Sequence, residues 1–232
     1  PLRRQRQMCI RDRQTLEKKA KNKKMNPNEK NYNKALMKEI KEGYTDDDLL
    51  FRMNYSINKL YKQNCKYMRT FIDVDQTLGL RAIEAALKVK RYWSGVGVTI
   101  QIGTQPLEGL ETPENIELFE KACSMTDFVG CLPSRDKNPE KHLDIVFSTA
   151  KKENKDVEAH LDQCNIPSEK ETELFCDYVE KYDWKGRCRA VHSVSLGCHP
   201  LKYQNEIANR MYHNKIGVII CPSAAISMTQ HG

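Results

Sequence analysis

Short runs rich in Val, Ile and Phe recur along this chain at a nearly constant spacing. Their first residues are separated by 30, 30, 29, 32 and 28 positions. Each run is short enough to form a buried strand of a parallel sheet. The six runs cover 67–75, 97–103, 127–133, 156–162, 188–195 and 216–222.

Helical patterns fill the intervals between these runs. Thr45 precedes three acidic residues, which is typical of an N-cap followed by charges that the helix dipole favours. Pro113 stands where the first turn of a helix tolerates proline. In "SEKE", Ser168 and Glu171 spell a capping box. The expected helices cover 45–64, 76–93, 113–125 and 139–154, followed by one from Ser168 and one from Pro200.

Strands and helices that alternate with a period of about 30 residues predict parallel βα units with right-handed crossovers. The chain contains neither G-x-G-x-x-G nor G-x-x-x-x-G-K, so the nucleotide-binding versions of an open doubly wound sheet lack support. The competing α/β form is a (β/α)8 TIM barrel, which needs eight strands and about 250 residues. Six strands in 232 residues therefore predict an incomplete barrel that holds approximately strands 2–7.

The net charge of +7 belongs to one end of the chain. Residues 1–30 hold eleven Lys/Arg and three Asp/Glu, whereas the remainder holds 27 basic and 28 acidic residues. We therefore expect a basic tail at 1–30 and a partial barrel domain at 31–232. The tail is disordered or partly helical in this interpretation, or non-native, because "RQRQMCIRDR" resembles a translated sequencing adaptor. A nucleic-acid partner is not favoured.

The remaining composition predicts a cytoplasmic protein. No run approaches 18 apolar residues and no apolar signal core follows the basic N-terminus, so we expect neither a membrane span nor secretion. The nine cysteines form no C-x-x-C and are odd in number, which favours reduced thiols. The sequence leaves open whether the protein forms a homo-oligomer.

Barrel active sites lie at the carboxyl ends of the strands, and two histidines stand there. Alternation places His160 on one face of "DVEAHLD" and the apolar residues on the other, namely Val157, Ala159 and Leu161. We therefore expect His160 to face the lumen. His192 shares a face with Ala190, whose small size fits a tapered interior. Two lumen-facing histidines on adjacent strands are within reach of one metal ion.

A structural alternative applies to each of these residues. A single histidine at a strand end is more often a hydrogen-bonded structural residue than a ligand. Two on neighbouring strands, with Asp162 close to the first, make a metal site an equal alternative. Arg135 and Asp136 are expected to form a surface ion pair. The remaining histidines receive no role: His142, His199, His213 and His231.

Five stretches in this order resemble cytosine deaminase-like members of the amidohydrolase superfamily: "YMRTFIDVD", "IQIGTQPLEGL", "DFVGCLPSRD", "VEAHLDQ" and "AVHSVSL". The resemblance runs from about residue 34 to the C-terminus. It implies a distorted (β/α)8 barrel with one divalent metal ion, Zn²⁺ or Fe²⁺. It also implies a hydroxide that attacks a C–N carbon of a heterocycle or amide.

Carried over by residue, the resemblance makes His160 a metal ligand and His192 a second ligand or a contact to the attacking water or substrate. Gln105 and Leu107 line the substrate pocket. The family's His-x-His on the first strand and its Asp on the eighth strand have no counterpart here. We therefore expect an incomplete ligand set, weak metal binding, and no activity of this chain alone.

Two further departures concern catalysis and specificity. The family's proton-shuttling Glu corresponds to Gln163, and an amide can orient water but cannot exchange a proton at neutral pH. The proton then moves through Asp162 or His192, or the chemistry differs, or activity is absent. Leu107 replaces a pyrimidine-reading Gln, which argues against cytosine itself. "CLPSRD" offers no Lys to bridge two metals, which favours one ion.

The sequence thus predicts a metal-dependent hydrolase for non-peptide C–N bonds of a cyclic amide, amidine or aminated heterocycle. Its partner is a small-molecule substrate, and Asp162 with Gln163 forms a water-orienting pair. The alternative is a non-catalytic barrel relative that acts as a binding or scaffold protein.

Overall fold

The computed structural model describes residues 38–222, and the predicted basic tail lies outside these residues. The helices are α1 (Asp46–Tyr61), α2 (Arg81–Ser94), α3 (Pro113–Met125), α4 (Pro139–Glu153), α5 (Glu171–Lys181) and α6 (Leu201–His213). The strands are β1 (Tyr67–Asp73), β2 (Thr99–Gln105), β3 (Val129–Cys131), β4 (Val157–Leu161), β5 (Cys188–His192) and β6 (Gly217–Ile219). Two 3-10 turns cover Pro133–Arg135 and Val194–Cys198. All six predicted strands and the predicted helices are therefore present.

The six strands are parallel and lie side by side in chain order. β1 pairs with β2, and β3 to β6 form a four-stranded sheet in the order β3-β4-β5-β6. A parallel bridge between Gly103 and Phe128 joins the two sheets. A doubly wound sheet would reverse its strand order at a switch point, whereas sequential order is that of a barrel wall. The predicted incomplete (β/α)8 barrel is confirmed, and residues 38–222 do not close it.

Side-chain caps fix where several helices begin. Thr45 accepts a hydrogen bond from the backbone N–H of Asp48, as predicted. Thr112 does the same for α3, whose first residue is Pro113. The predicted capping box of Ser168 and Glu171 is wrong, because α5 begins three residues later than Ser168 and takes its cap from a different part of the chain.

Two apolar clusters hold the helices against the outer face of the wall. One joins β3, β4 and β5 to α3 through α6, and its fully buried aromatic residues are Phe119 and Phe175, beside Phe147. The other joins β1 and β2 to α1 and α2 around Ile83 and Ile102. No helix within residues 38–222 is long and apolar enough to cross a bilayer.

The inner face of the wall carries a stack of side chains. At the amino-terminal end, the guanidinium of Arg69 bonds the carboxylate of Glu158 at 2.6 Å and stacks on the Phe128 ring at 3.8 Å. Phe128 meets Phe71 edge-on at 5.3 Å. A Cβ on Gly103 would lie 2.1 Å from the Phe128 ring, so glycine is needed for this ring to fit.

Candidate active site

Two histidines meet at the carboxyl-terminal rim of the wall. His160 is the penultimate residue of β4 and His192 is the last residue of β5. The Nδ1 atom of His160 lies 3.2 Å from the Nε2 atom of His192. Both residues are buried, with exposed fractions of 5% and 8%. The structure therefore brings together the two residues that the sequence singled out for a metal.

His160 reaches the lumen by simple strand alternation. Its neighbours Ala159 and Leu161 lie in the cluster beneath the helices. The His160 ring instead contacts the Phe71 ring, with centroids 4.5 Å apart. The expectation that His160 faces the lumen is confirmed.

His192 faces the lumen because the backbone turns at the end of β5, and not because of strand alternation. Ala190 lies in the cluster beneath the helices, so the prediction that His192 shares a lumen-facing side with it is wrong. The backbone of His192 has a φ of 79°, and Ser193 follows with 51°, so β5 leaves its alternation here. The N–H of Ser193 donates to the carbonyl of Leu161 at 3.0 Å, which holds this turn against β4.

Burial keeps both imidazoles neutral. Burial first, and then the neighbouring His192 and Arg135, lower the pKa of His160 to about 3. Burial also lowers the pKa of His192. Neutral imidazole is the form that binds a metal ion.

The pair fits part of a metal site. The Nε2 atom of His160 is buried without a hydrogen-bond partner. The separation of 3.2 Å is close to the roughly 3.3 Å between two nitrogens that bind one zinc ion tetrahedrally at about 2.0–2.1 Å. Residues 38–222 hold no group of three or more His, Cys, Asp or Glu suited to a metal.

Asp162 is committed to a helix. Its side-chain oxygens accept hydrogen bonds from the backbone N–H groups of Glu171 at 2.7 Å and Thr172 at 3.1 Å. Glu171 returns the contact by accepting from the N–H of Asp162 at 2.9 Å. Asp162 thus supplies the cap that the sequence assigned to Ser168, and its carboxylate is 1% exposed.

The other candidates lie at the end of β2 and in the segments that follow β2 and β4. Gln163 follows Asp162, is half-buried, and has no side-chain hydrogen bond to any residue within 38–222. Gln105 ends β2 and Leu107 follows it, and both are half-buried. Within residues 38–222, none of these three side chains forms a hydrogen bond with either histidine.

A buried clamp holds the loop that carries Leu107, and the sequence did not reveal it. The Asp136 carboxylate accepts from the Leu110 N–H at 2.9 Å and bonds the His142 Nδ1 at 2.7 Å. Gly109 has a φ of 85°, and any Cβ there would collide with Asp136. The predicted surface ion pair of Arg135 with Asp136 is wrong, because Asp136 points inward.

A buried lysine neutralises the rim at the end of β1. Lys41 is 5% exposed and its ammonium lies 2.8 Å from Asp73 and 2.5 Å from Asp75. Burial alone would lower the pKa of Lys41, but these two carboxylates raise it above its ordinary value. Both aspartates are therefore occupied.

Comparisons with known proteins extend this description. No family model matches the chain. An uncharacterized protein of Haemophilus influenzae is 32% identical over 195 residues, which are 82% of this chain and 70% of that protein. The N-isopropylammelide isopropyl amidohydrolase of a Pseudomonas species is 26% identical over 144 residues, 60% of this chain and 36% of that enzyme. The 5-methylcytosine deaminase of Klebsiella pneumoniae, liganded with 5-fluorocytosine, superimposes with a TM-score of 0.70.

The chain is thus similar in sequence to an amidohydrolase and in fold to a deaminase. The deaminase shares 21% identity over an alignment that covers 79% of this chain. At that identity the similarity shows the fold alone. The chain spans 45% of the deaminase and 36% of the amidohydrolase. What the whole protein does is therefore a proposal.

Proposed function

We propose that this chain forms part of a metal-dependent hydrolase for C–N bonds other than peptide bonds. The substrate class is a cyclic amide, amidine or aminated heterocycle. The observation that carries the proposal is the buried neutral histidine pair, in which the Nδ1 atom of His160 and the Nε2 atom of His192 lie 3.2 Å apart. The relatives support the reaction class, since their names are those of a deaminase and an amidohydrolase.

Each residue has a role in this proposal. His160 is a metal ligand, and His192 is a second ligand or holds the attacking water or the substrate. A divalent ion, zinc or iron, would supply Lewis acidity and lower the pKa of water towards about 7. Gln163 orients water through its amide, and Gln105 and Leu107 line the substrate pocket.

Asp162 acts by positioning rather than by proton transfer. Its carboxylate oxygens hold the first turn of α5, so the loop from Asp162 to Glu171 is fixed at both ends. Gln163 lies in that loop immediately after the anchor. The cap therefore sets where the Gln163 amide stands relative to His160.

Metal binding is the first test of this proposal. Zinc titrated into metal-free protein should shift the side-chain NMR signals of His160 and His192, with weak affinity because two ligands are an incomplete set. His160→Gln should abolish these shifts. The matched control is His213→Gln, which removes an exposed histidine from α6. Zinc-dependent shifts that survive His160→Gln would contradict the ligand assignment.

Hydrolysis is the second test. If Gln163 has replaced a proton shuttle, Gln163→Glu in the full-length hydrolase should raise ammonia release from aminated heterocycles by about 10²–10⁴-fold, the usual contribution of a positioned acid or base. Asn165→Asp, which adds a carboxylate elsewhere in the same loop, is the control. An unchanged rate in Gln163→Glu, together with no zinc binding, would favour the non-catalytic binding or scaffold protein.

A further inference from the structure

Arg135 is an exposed cation at the rim that has no carboxylate partner within residues 38–222. It ends the 3-10 turn that follows β3, and its side chain is exposed. Six of the eight arginines within residues 38–222 form ion pairs with carboxylates: Arg52, Arg69, Arg81, Arg187, Arg189 and Arg210. Arg135 and Arg91 do not, and Arg91 lies on the outer helix α2.

The turn that carries Arg135 lies beside His160. Cys131 of β3 pairs with Ala159 of β4, so the chain after β3 continues at the level of the β4 end. The turn itself contacts β4.

The same turn is held against the predicted substrate loop. Asp136 fixes Leu110, and the N–H of Lys137 donates to Glu111 at 2.7 Å. These contacts tie the chain that follows Arg135 to the chain that follows Leu107. A binding group on such an anchored turn loses little conformational entropy when it engages a ligand.

Three carboxylates at the rim of the wall are already paired. Asp136 bonds His142 and a backbone N–H, Asp162 caps α5, and Asp73 pairs with Lys41. Gln163 adds no charge. The guanidinium of Arg135 is therefore available to an anion that arrives with the substrate.

We propose that Arg135 binds an oxyanion, in the form of a carboxylate carried by the heterocyclic substrate. A guanidinium matches a carboxylate with two parallel hydrogen bonds, which are stronger than those between neutral groups. This inference rests on the proposed function and narrows its substrate class to acidic heterocycles. Arg135 is a specificity-determining residue in this proposal.

The role of Arg135 can be tested by comparing the affinities of two heterocycles that differ only in a carboxylate. Uracil and orotate are titrated into zinc-loaded protein and followed by NMR. Orotate should bind at least about tenfold more tightly than uracil, the effect expected of a hydrogen bond to a charged group. Arg135→Gln should reduce the preference to below about twofold and leave uracil binding unchanged. Arg91→Gln, the matched control, should keep the preference.

The other outcomes overturn the inference in distinguishable ways. Equal binding of the two rings, or a preference that survives Arg135→Gln, would refute the role of Arg135 while leaving the heterocycle site intact. Inorganic phosphate provides a further arm: if it alone produces the Arg135-dependent shifts, the site takes a free oxyanion and the substrate assignment is wrong. If neither ring binds while zinc still shifts His160, the substrate class of the proposed function fails as well.

Discussion

The two ends of the lumen handle buried polar groups in opposite ways. At the amino-terminal end, Glu158 is fully buried and contacts Arg69 at 2.6 Å and Arg189 at 3.3 Å. At the carboxyl-terminal rim, His160 and His192 are neutral and share one contact of 3.2 Å. One end therefore keeps buried charges by pairing them, although burial still raises the pKa of Glu158. The other end removes charge through burial.

Two aromatic rings separate these regions. Arg69 stacks on Phe128, Phe128 meets Phe71, and Phe71 meets His160. These rings fill the lumen between the charged cluster and the imidazoles, so the two sets of polar groups do not bond to each other. Buried polar groups in the wall therefore have two roles. The ion pairs at the amino-terminal end contribute to stability, and the neutral histidines at the carboxyl-terminal end offer nitrogen atoms as ligands.

The largest expected effect comes from breaking the ionic end. Glu158→Gln leaves Arg69 and Arg189 without their buried counter-charge, so we expect the free energy of unfolding to fall by about 3 kcal/mol. Urea denaturation measures this loss. Zinc-induced shifts at His160 should persist in the folded fraction, because the aromatic layer lies between.

A surface ion pair provides the matched control for that substitution. Glu120 pairs with Lys152 at 3.3 Å, and both side chains are exposed. Glu120→Gln should cost less than about 1 kcal/mol. Equal losses in Glu158→Gln and Glu120→Gln would mean that the ionic end does not stabilise the wall.

The neutral end should reveal itself in the pH dependence of stability. Burial holds the pKa of His160 at about 3, against 6.5 in the unfolded chain. Below pH 6.5 the unfolded state therefore takes up a proton that the native state does not. For metal-free protein, the free energy of unfolding should fall by about 2 kcal/mol between pH 7 and pH 5 from this residue alone.

Urea denaturation across this range checks the expectation. His160→Gln should flatten the dependence, and His213→Gln should leave it unchanged because that histidine is exposed. A pH dependence that is identical in His160→Gln would show that this imidazole protonates as readily in the native state as in the unfolded one.

Local patterns predicted most of the fold because they depend on near neighbours in sequence. The bounds of α3 match the prediction, since Thr112 and Pro113 fix its start without help from elsewhere. The lumen-facing side of His160 followed from alternation for the same reason. The incomplete barrel followed from the repeat length, which a parallel βα unit imposes.

The features that the sequence did not reveal depend on distant contacts. His192 turns inward because the carbonyls of Leu161 and Asp162 hold the chain after β5, about 30 residues away in sequence. Asp136 points inward because Leu110, 26 residues earlier, offers an unpaired N–H. Neither contact has a local signal, so alternation failed for His192 and Asp136 was predicted as a surface residue.

The smallest expected effect distinguishes two adjacent rim residues that the sequence treated as one pair. Asp162→Ala removes the cap of α5 and should lower the free energy of unfolding by about 1 kcal/mol. Gln163→Ala should cost close to nothing, because the Gln163 side chain makes no hydrogen bond within the described residues. Asp162→Asn should fall between them, since its amide oxygen can still accept one of the two N–H groups.

Hydrogen exchange locates the effect of these substitutions. The amides of Glu171 and Thr172 should lose protection in Asp162→Ala and keep it in Gln163→Ala, because only Asp162 accepts from them. Equal loss of protection in both variants would mean that the loop acts as a unit and that Gln163 also supports the helix. Protection lost only in Asp162→Ala assigns stability to Asp162 and leaves Gln163 free for the water or substrate at the rim.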